Sequence, residues 1–542
     1  MSKFSGTKRR PLRTNLTAPI RTVRSRIATH QGGVGFERTP ESELFLLAAS
    51  NLVGEDTFYE SAGDRDQRFV ELVAEVTRTN PAFLAGEAAL AAVDNGVDGA
   101  VEADPAKVGL VQYLRSSLGM RSASVVMAAE YVAAGGAGGR SVVARALQRP
   151  DEPAEMLGYW LTGHGRKVPM AVKRGVADAV ARMYSERAAL RYDSLSRQIR
   201  MADVVELVHP KPRDDAQSAL FRWLLDRRHH DDAVADPGVL PMLAAAAALE
   251  AVPADERRAV LRDRGPEALA AAGVSWERLS GWLPGGMDAE AWEAVIPNMG
   301  VMALVRNLRN FDQADISTAA VDHVIAKITD ADEVARARLF PYQVWAAYRA
   351  APSDDWKRAL GTTLGHTVAN VPALDGTLVL VDTSGSMQAP MSRRSTVTRV
   401  EVAAVMAMAT AKRASDVDVV IYGYTSANLG RMAGMSTLGM VDRVVRSVGE
   451  VGHATYGHTA IKRWFDPARH RRVVIFTDDQ QHDAGRVRLD HVPLIYTFDL
   501  AGYRPAALPA GEKGRYTLTG FTDATYQVMQ TLESGHSAEW PF

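Results

Sequence analysis

Two architectures in succession are expected from the sequence: stacked helical pairs over residues 27–365, then an α/β domain with a doubly wound parallel sheet over 366–542. Three observations lead there. In the first span apolar residues recur at intervals of three and four, the period of helices with one buried face. After residue 366 short runs of β-branched and aliphatic residues alternate with helical stretches, the pattern of parallel strands joined by right-handed crossovers. At 542 residues the chain also exceeds what one hydrophobic core sustains, so two or more domains are required.

Taken in order, residues 1–26 form a tail with Lys3, Lys8, Arg9, Arg10, Arg13, Arg21, Arg24 and Arg26 and no acid. A solvated end is favoured over a nucleic-acid arm or a transit peptide. In the helical span, segments such as 171–185 and 216–226 carry the three-four periodicity. Turn signals break them at 53–56, Ala-Gly-Gly-Ala-Gly-Gly 134–139, His-Pro-Lys-Pro 209–212 and Leu-Pro-Gly-Gly 283–286. Helices joined by short turns over so long a span imply an α-solenoid, although no crisp repeat is visible. Beyond 366, strands are expected at 378–381, 417–422, 473–476, 493–498 and 515–519, with helices at 398–414, 438–448, 459–465 and 523–532.

Bulk composition narrows the class. Apolar residues at 46% and charged residues at 23% are those of a globular protein, and no run of 18 apolar residues could span a membrane. The absence of cysteine excludes disulfides, thiolate zinc sites and a cysteine nucleophile, and a cytoplasmic protein is the simpler reading. The net charge of -1 is uneven: +8 in the tail, -10 over 27–365 and +1 from 366 onward. A polyanion site in the helical span must therefore be a local patch.

One such patch is Arg166, Lys167, Lys173 and Arg174, followed by Arg182, Arg187 and Arg191 with few acids between. Lys211 and Arg213 flank a nearby turn, and Arg306 and Arg309 fall three apart on one helical face. These cations suit phosphate contacts that position RNA without reading bases. Any single arginine is more often a solvated helix face, and only the cluster argues for RNA. Tyr342, Trp345 and Tyr348 have core spacing and are expected to pack helices.

The α/β domain opens with Thr377-Leu-Val-Leu-Val-Asp-Thr-Ser-Gly-Ser386, an apolar strand ending in one carboxylate and two serines at alternate positions. At the carboxyl edge of an open sheet such oxygens converge where ligands bind. Oxygen-only donors suit a hard divalent ion, Mg²⁺ first, with Mn²⁺ and Ca²⁺ as alternatives. Two later turns add oxygens: His453-Ala-Thr-Tyr-Gly-His-Thr459, and Phe476-Thr-Asp-Asp479 at its own strand end. The competing explanation is a capped strand-to-helix turn, and three such elements in order outweigh it. His453, His458 and His482 are read as surface imidazoles. Asp-Thr-Ser-Gly also occurs in aspartic proteases, but that fold is all-β and needs a second such loop.

Asp-x-Ser-x-Ser after a strand, a later Thr, and a strand ending Thr-Asp resemble the metal-ion-dependent adhesion site of a von Willebrand factor A domain. The resemblance implies ligation by Asp382, Ser384, Ser386 and Thr455, with Asp478 reaching the ion through water. His453-Ala454 stands where that family has Gly-Gly.

Segments 168–178, 202–212, 302–309 and 337–347 further resemble the TROVE module of the Ro autoantigen family. That similarity implies a ring of HEAT-like helices with the von Willebrand A domain closing it. It implies a non-enzymatic scaffold that binds small noncoding Y-like RNA on an outer basic face, mapped to Lys173 and Arg174. It also implies that single-stranded 3′ ends of misfolded RNA enter a central hole, that polynucleotide phosphorylase is a partner, and that the protein is a monomer. Met201 stands where the family places a histidine. The alternative function is a metal-dependent protein-interaction scaffold. An RNA-processing enzyme is disfavoured, because no convergent acid/base set is visible in the helical span.

Overall fold

The structure is a computed structural model that describes residues 26–28, 34–36, 39–49, 62–94, 108–230, 233–391, 396–430, 434–478, 488–500, 514–519 and 525–536. The basic tail up to residue 25, the turn at 53–56 and His482 lie outside them. Two compact units emerge, one chiefly Arg38–Val274 and the other chiefly Ser275–Tyr526.

The first unit is a succession of helical pairs. Its tightest described pairing sets Met170–Met183 against Gly139–Ala146. Gly175 permits the approach: a Cβ there would lie 2.6 Å from the Arg140 carbonyl oxygen and 2.7 Å from Val143 Cβ. Val172, Val176, Ala179 and Val180 are buried on the face that meets it. The seam is closed by Arg140, which forks onto Asp178 at 2.7 and 2.9 Å. Arg182, counted with the basic cluster from sequence, donates to the carbonyls of Ala144 and Leu147 and so caps the neighbouring helix.

In the same unit a buried ionic network ties several helices together. Arg121 meets Asp151, Glu152 and Glu155, and Arg115 also reaches Glu152. Asp193 accepts from Arg200 and Arg227. Such groups stay charged inside a protein only because each is paired.

The second unit combines helices with a six-stranded sheet. Strand order is Ser426–Asn428, Val417–Tyr422, Thr377–Asp382, Arg472–Thr477, Ile495–Asp499, Arg515–Thr519, parallel except for the antiparallel first strand. The central strand pairs Val379 with Val419 on one side and Val474 on the other. All six of its residues are buried, as an unbroken apolar run requires. Leu378 and Leu380 join a core with Ala460, Ile461 and Phe465, and by alternation Val379 and Val381 face the other side. The Arg399–Arg413 helix also packs on this strand.

All five expected strands are present, within two residues at each end. The antiparallel edge strand Ser426–Asn428 was not expected, because three residues carry no periodicity. Helices before the sheet join this unit: Pro341–Ala350 packs on Arg399–Arg413, and Asp354–Thr367 on Thr437–Arg446. The main segment of this unit thus begins at Ser275, well before the change of secondary structure at 366.

Candidate functional site

The central strand ends at the topological switch point, since the chain crosses first to Val417–Tyr422 on one side and later to Arg472–Thr477 on the other. Asp382, its last residue, is fully buried. Its Oδ1 accepts from the Ser384 amide at 2.9 Å and its Oδ2 from the Thr477 hydroxyl at 2.7 Å. Ser384 Oγ then lies 3.1 Å from Ser386 Oγ across the turn. One carboxylate and two hydroxyls are therefore fixed on a single loop.

Asp478 follows the neighbouring strand and is also fully buried. Its Oδ2 accepts from Arg399 Nη1 at 3.2 Å, while its Oδ1 has no hydrogen-bond partner among the described residues. The Asp382 carboxyl is pushed up to about 6, by burial above all and further by repulsion from Asp478, against hydrogen bonds from Ser384 and Thr477. A buried acid whose ionisation is opposed by burial and by a neighbouring carboxylate is an arrangement a cation relieves.

Thr455, fully buried, lies in the loop before the Gly457–Trp464 helix. Gly449 N–H of that loop donates to the Thr383 carbonyl, and Tyr456 N–H to that of Gly423. His453 sits over the serine turn, so that a Cβ on Gly385 would be 3.5 Å from its Nδ1. His453 is exposed, as a surface imidazole should be, but His458 is buried, because it lies on the inward face of its helix. The donor set thus offers carboxylate and hydroxyl oxygens and one buried carboxylate oxygen without a hydrogen bond among the described residues, which fits a hard divalent ion.

The cationic residues divide between the units. Arg166 and Lys167 lie exposed in the turn leading into Met170–Met183, Lys173 half-buried and Arg174 exposed on that helix. Lys211 and Arg213 are exposed in the turn after Met201–Val208, a helix that packs on Met170–Met183. Arg213 is held by Asp214 at 3.0 Å. Met201 is buried, with its amide on Asp193 Oδ1, so this position serves the core.

Arg306 and Arg309, in the second unit, line a groove of about 300 Å³ with Tyr342, Gln343 and alanines of Pro341–Ala350. Trp345 is buried and stacks on Tyr348 at 5.3 Å, as core spacing implies. Tyr342 departs from that expectation: it is half-buried and faces the groove.

Sequence reasoning missed Arg399, which had one available signal: a cation in the first turn of a helix stands where the helix dipole disfavours it. Asp151, Asp193 and Arg200 gave no local signal of being buried partners.

Residues 272–415 match the model of the TROVE domain family. Segments 302–309 and 337–347 fall inside that match, and 168–178 and 202–212 outside it. No curated protein matches the chain. Among solved structures, the crystal structure of the Ro (RSR) protein of Deinococcus radiodurans is similar, with a TM-score of 0.68 and 19% identity over 92% of this chain and 100% of that one. Residues 272–415 are thus similar to the TROVE domain, and the chain has a fold like that of a bacterial Ro protein.

Proposed function

We propose that the chain is the RNA-binding scaffold of a Ro-type ribonucleoprotein, acting as a binder and not as an enzyme. The observation that carries this is the cluster of Arg166, Lys167, Lys173 and Arg174 at one helix start, on a span that is otherwise net acidic. Cations so grouped neutralise several phosphates together and release their counterions, which gives sequence-independent affinity. The finer reading is that this face takes a small Y-like RNA and that single-stranded 3′ ends of misfolded RNA enter a central hole. Arg306, Arg309 and Tyr342 offer such an end two cations and a ring. A 3′ exonuclease such as polynucleotide phosphorylase is the partner this role calls for.

The experiment is crosslinking and sequencing of RNA recovered with the protein, compared between wild type and a Lys173→Glu/Arg174→Glu variant. Loss of the enriched RNA in the variant is expected. Identical recovery from both would reject the basic face.

A second reading is favoured by the buried Asp478 oxygen that lacks a hydrogen bond among the described residues. An ion, Mg²⁺ first, would be held by Asp382, Ser384, Ser386 and Thr455, with Asp478 behind water, and would supply a Lewis-acid position for a carboxylate of a protein partner. On this reading a partner complex dissociates in EDTA, whereas RNA held by phosphates responds to salt instead.

A further inference from the structure

We infer that Arg399 is an internal counter-cation that competes with the divalent ion, so that the site stays folded without metal and binds it more weakly than its oxygens alone would allow. The inference rests on the ion-binding reading of this loop cluster.

Arg399 is the first residue of the Arg399–Arg413 helix, where unsatisfied amides already place positive charge and a further cation is disfavoured. It is not needed for the cap. Thr398 accepts from the Glu401 amide, and Glu401 returns to the Thr398 amide at 2.7 Å, closing the helix start by themselves. What holds Arg399 lies across the site. Its Nη1 is 3.2 Å from Asp478 Oδ2 and 3.5 Å from the Ser386 carbonyl oxygen, and only 15% of its side chain is exposed.

One guanidinium therefore touches both a serine of the first loop and the carboxylate of the second. With no ion present it supplies the positive charge that buried Asp478 requires. When a divalent ion approaches the same carboxylate, the two cations repel in a poorly solvated place, and part of the ion's binding free energy is lost. A purely structural clamp predicts the reverse sign: removing Arg399 would loosen the loops and weaken the ion.

The test uses the full chain, Mn²⁺ titrated calorimetrically, and thermal melts in EDTA and in excess Mg²⁺. Arg399→Gln is expected to lower the Mn²⁺ dissociation constant about tenfold, within the usual range of coupling between two sites. It should also lower the melting temperature in EDTA and enlarge the rise on adding ion, with Arg399→Lys between it and wild type. In an Asp478→Asn background the same Arg399→Gln step should change affinity less than about twofold, because the coupled carboxylate is gone. If wild type binds Mn²⁺ and Arg399→Gln binds it equally or more weakly, the inference is overturned while the metal reading stands. If neither binds, the metal reading fails and the inference with it. Should Arg399→Gln fold only in the presence of ion, the expectation is met; should it fold in neither condition, the Arg399→Lys affinity decides by the same sign.

Discussion

Asp193 has both oxygens committed: Arg200 Nη2 at 2.6 Å and Arg227 Nη1 at 2.9 Å reach Oδ2, and the Met201 amide at 3.0 Å reaches Oδ1. Arg200 is itself buried, so Asp193→Ala would strand a guanidinium in the interior. The expected loss is about 3–5 kcal/mol, read by urea unfolding. Replacing Asp193 and Arg200 together by leucine and methionine should recover most of it. His470 makes a second prediction at this scale. Its Nδ1 accepts the Asp466 amide at 3.0 Å and its Nε2 lies 3.1 Å from Asp418, with Arg469 and Asp416 nearby. Burial pushes this imidazole below its ordinary value, more strongly than Asp418 holds it up. The unfolded chain then binds more protons than the folded one, so stability is full above the ordinary histidine value of about 6.5 and declines as pH falls through it. Melting temperature should fall between neutral and mildly acidic pH, and His470→Gln should flatten that slope.

Elements are positioned here by what cannot fit between them. The Met170–Met183 helix lies against Gly139–Ala146 because Gly175 has no side chain, and the obstacle it would meet is backbone, which cannot rotate away. Gly175→Ala should destabilise by about 1–3 kcal/mol in thermal or urea unfolding. Lys173 and Arg174 ride on the same helix, so on the RNA-binding proposal RNA affinity should fall as well, although neither cation is altered. In the sheet the observed register pairs Thr377 with Arg472 and Val381 with Phe476, and that register carries Asp382 to the carboxyl edge beside Thr477.

For the whole molecule, the charge distribution sets what the RNA-binding proposal requires. A chain of net charge -1 attracts no polyanion at long range, so binding must come from local cations and should fall steeply with salt. The slope of log affinity against log salt should lose about 1.5–2 in Lys173→Glu/Arg174→Glu, the share of two phosphates, as read by filter binding or anisotropy across salt concentrations. An unchanged slope would move the RNA elsewhere. Much of this architecture was legible in the sequence. The change from helical period to strand-helix alternation near 366 and all five parallel strands are properties of neighbours along the chain, and local pattern records them. So is the Asp382, Ser384, Ser386 loop, which lies within five residues of one strand end. What only the tertiary structure decided is which distant side chains meet: Arg399 with Asp478, 79 residues apart, Arg227 with Asp193, 34 apart, and the helices from Ser275 onward with the sheet. Periodicity states which face of a helix is buried. It does not state against what, because partner choice is settled by shape and charge across elements that the linear pattern treats separately.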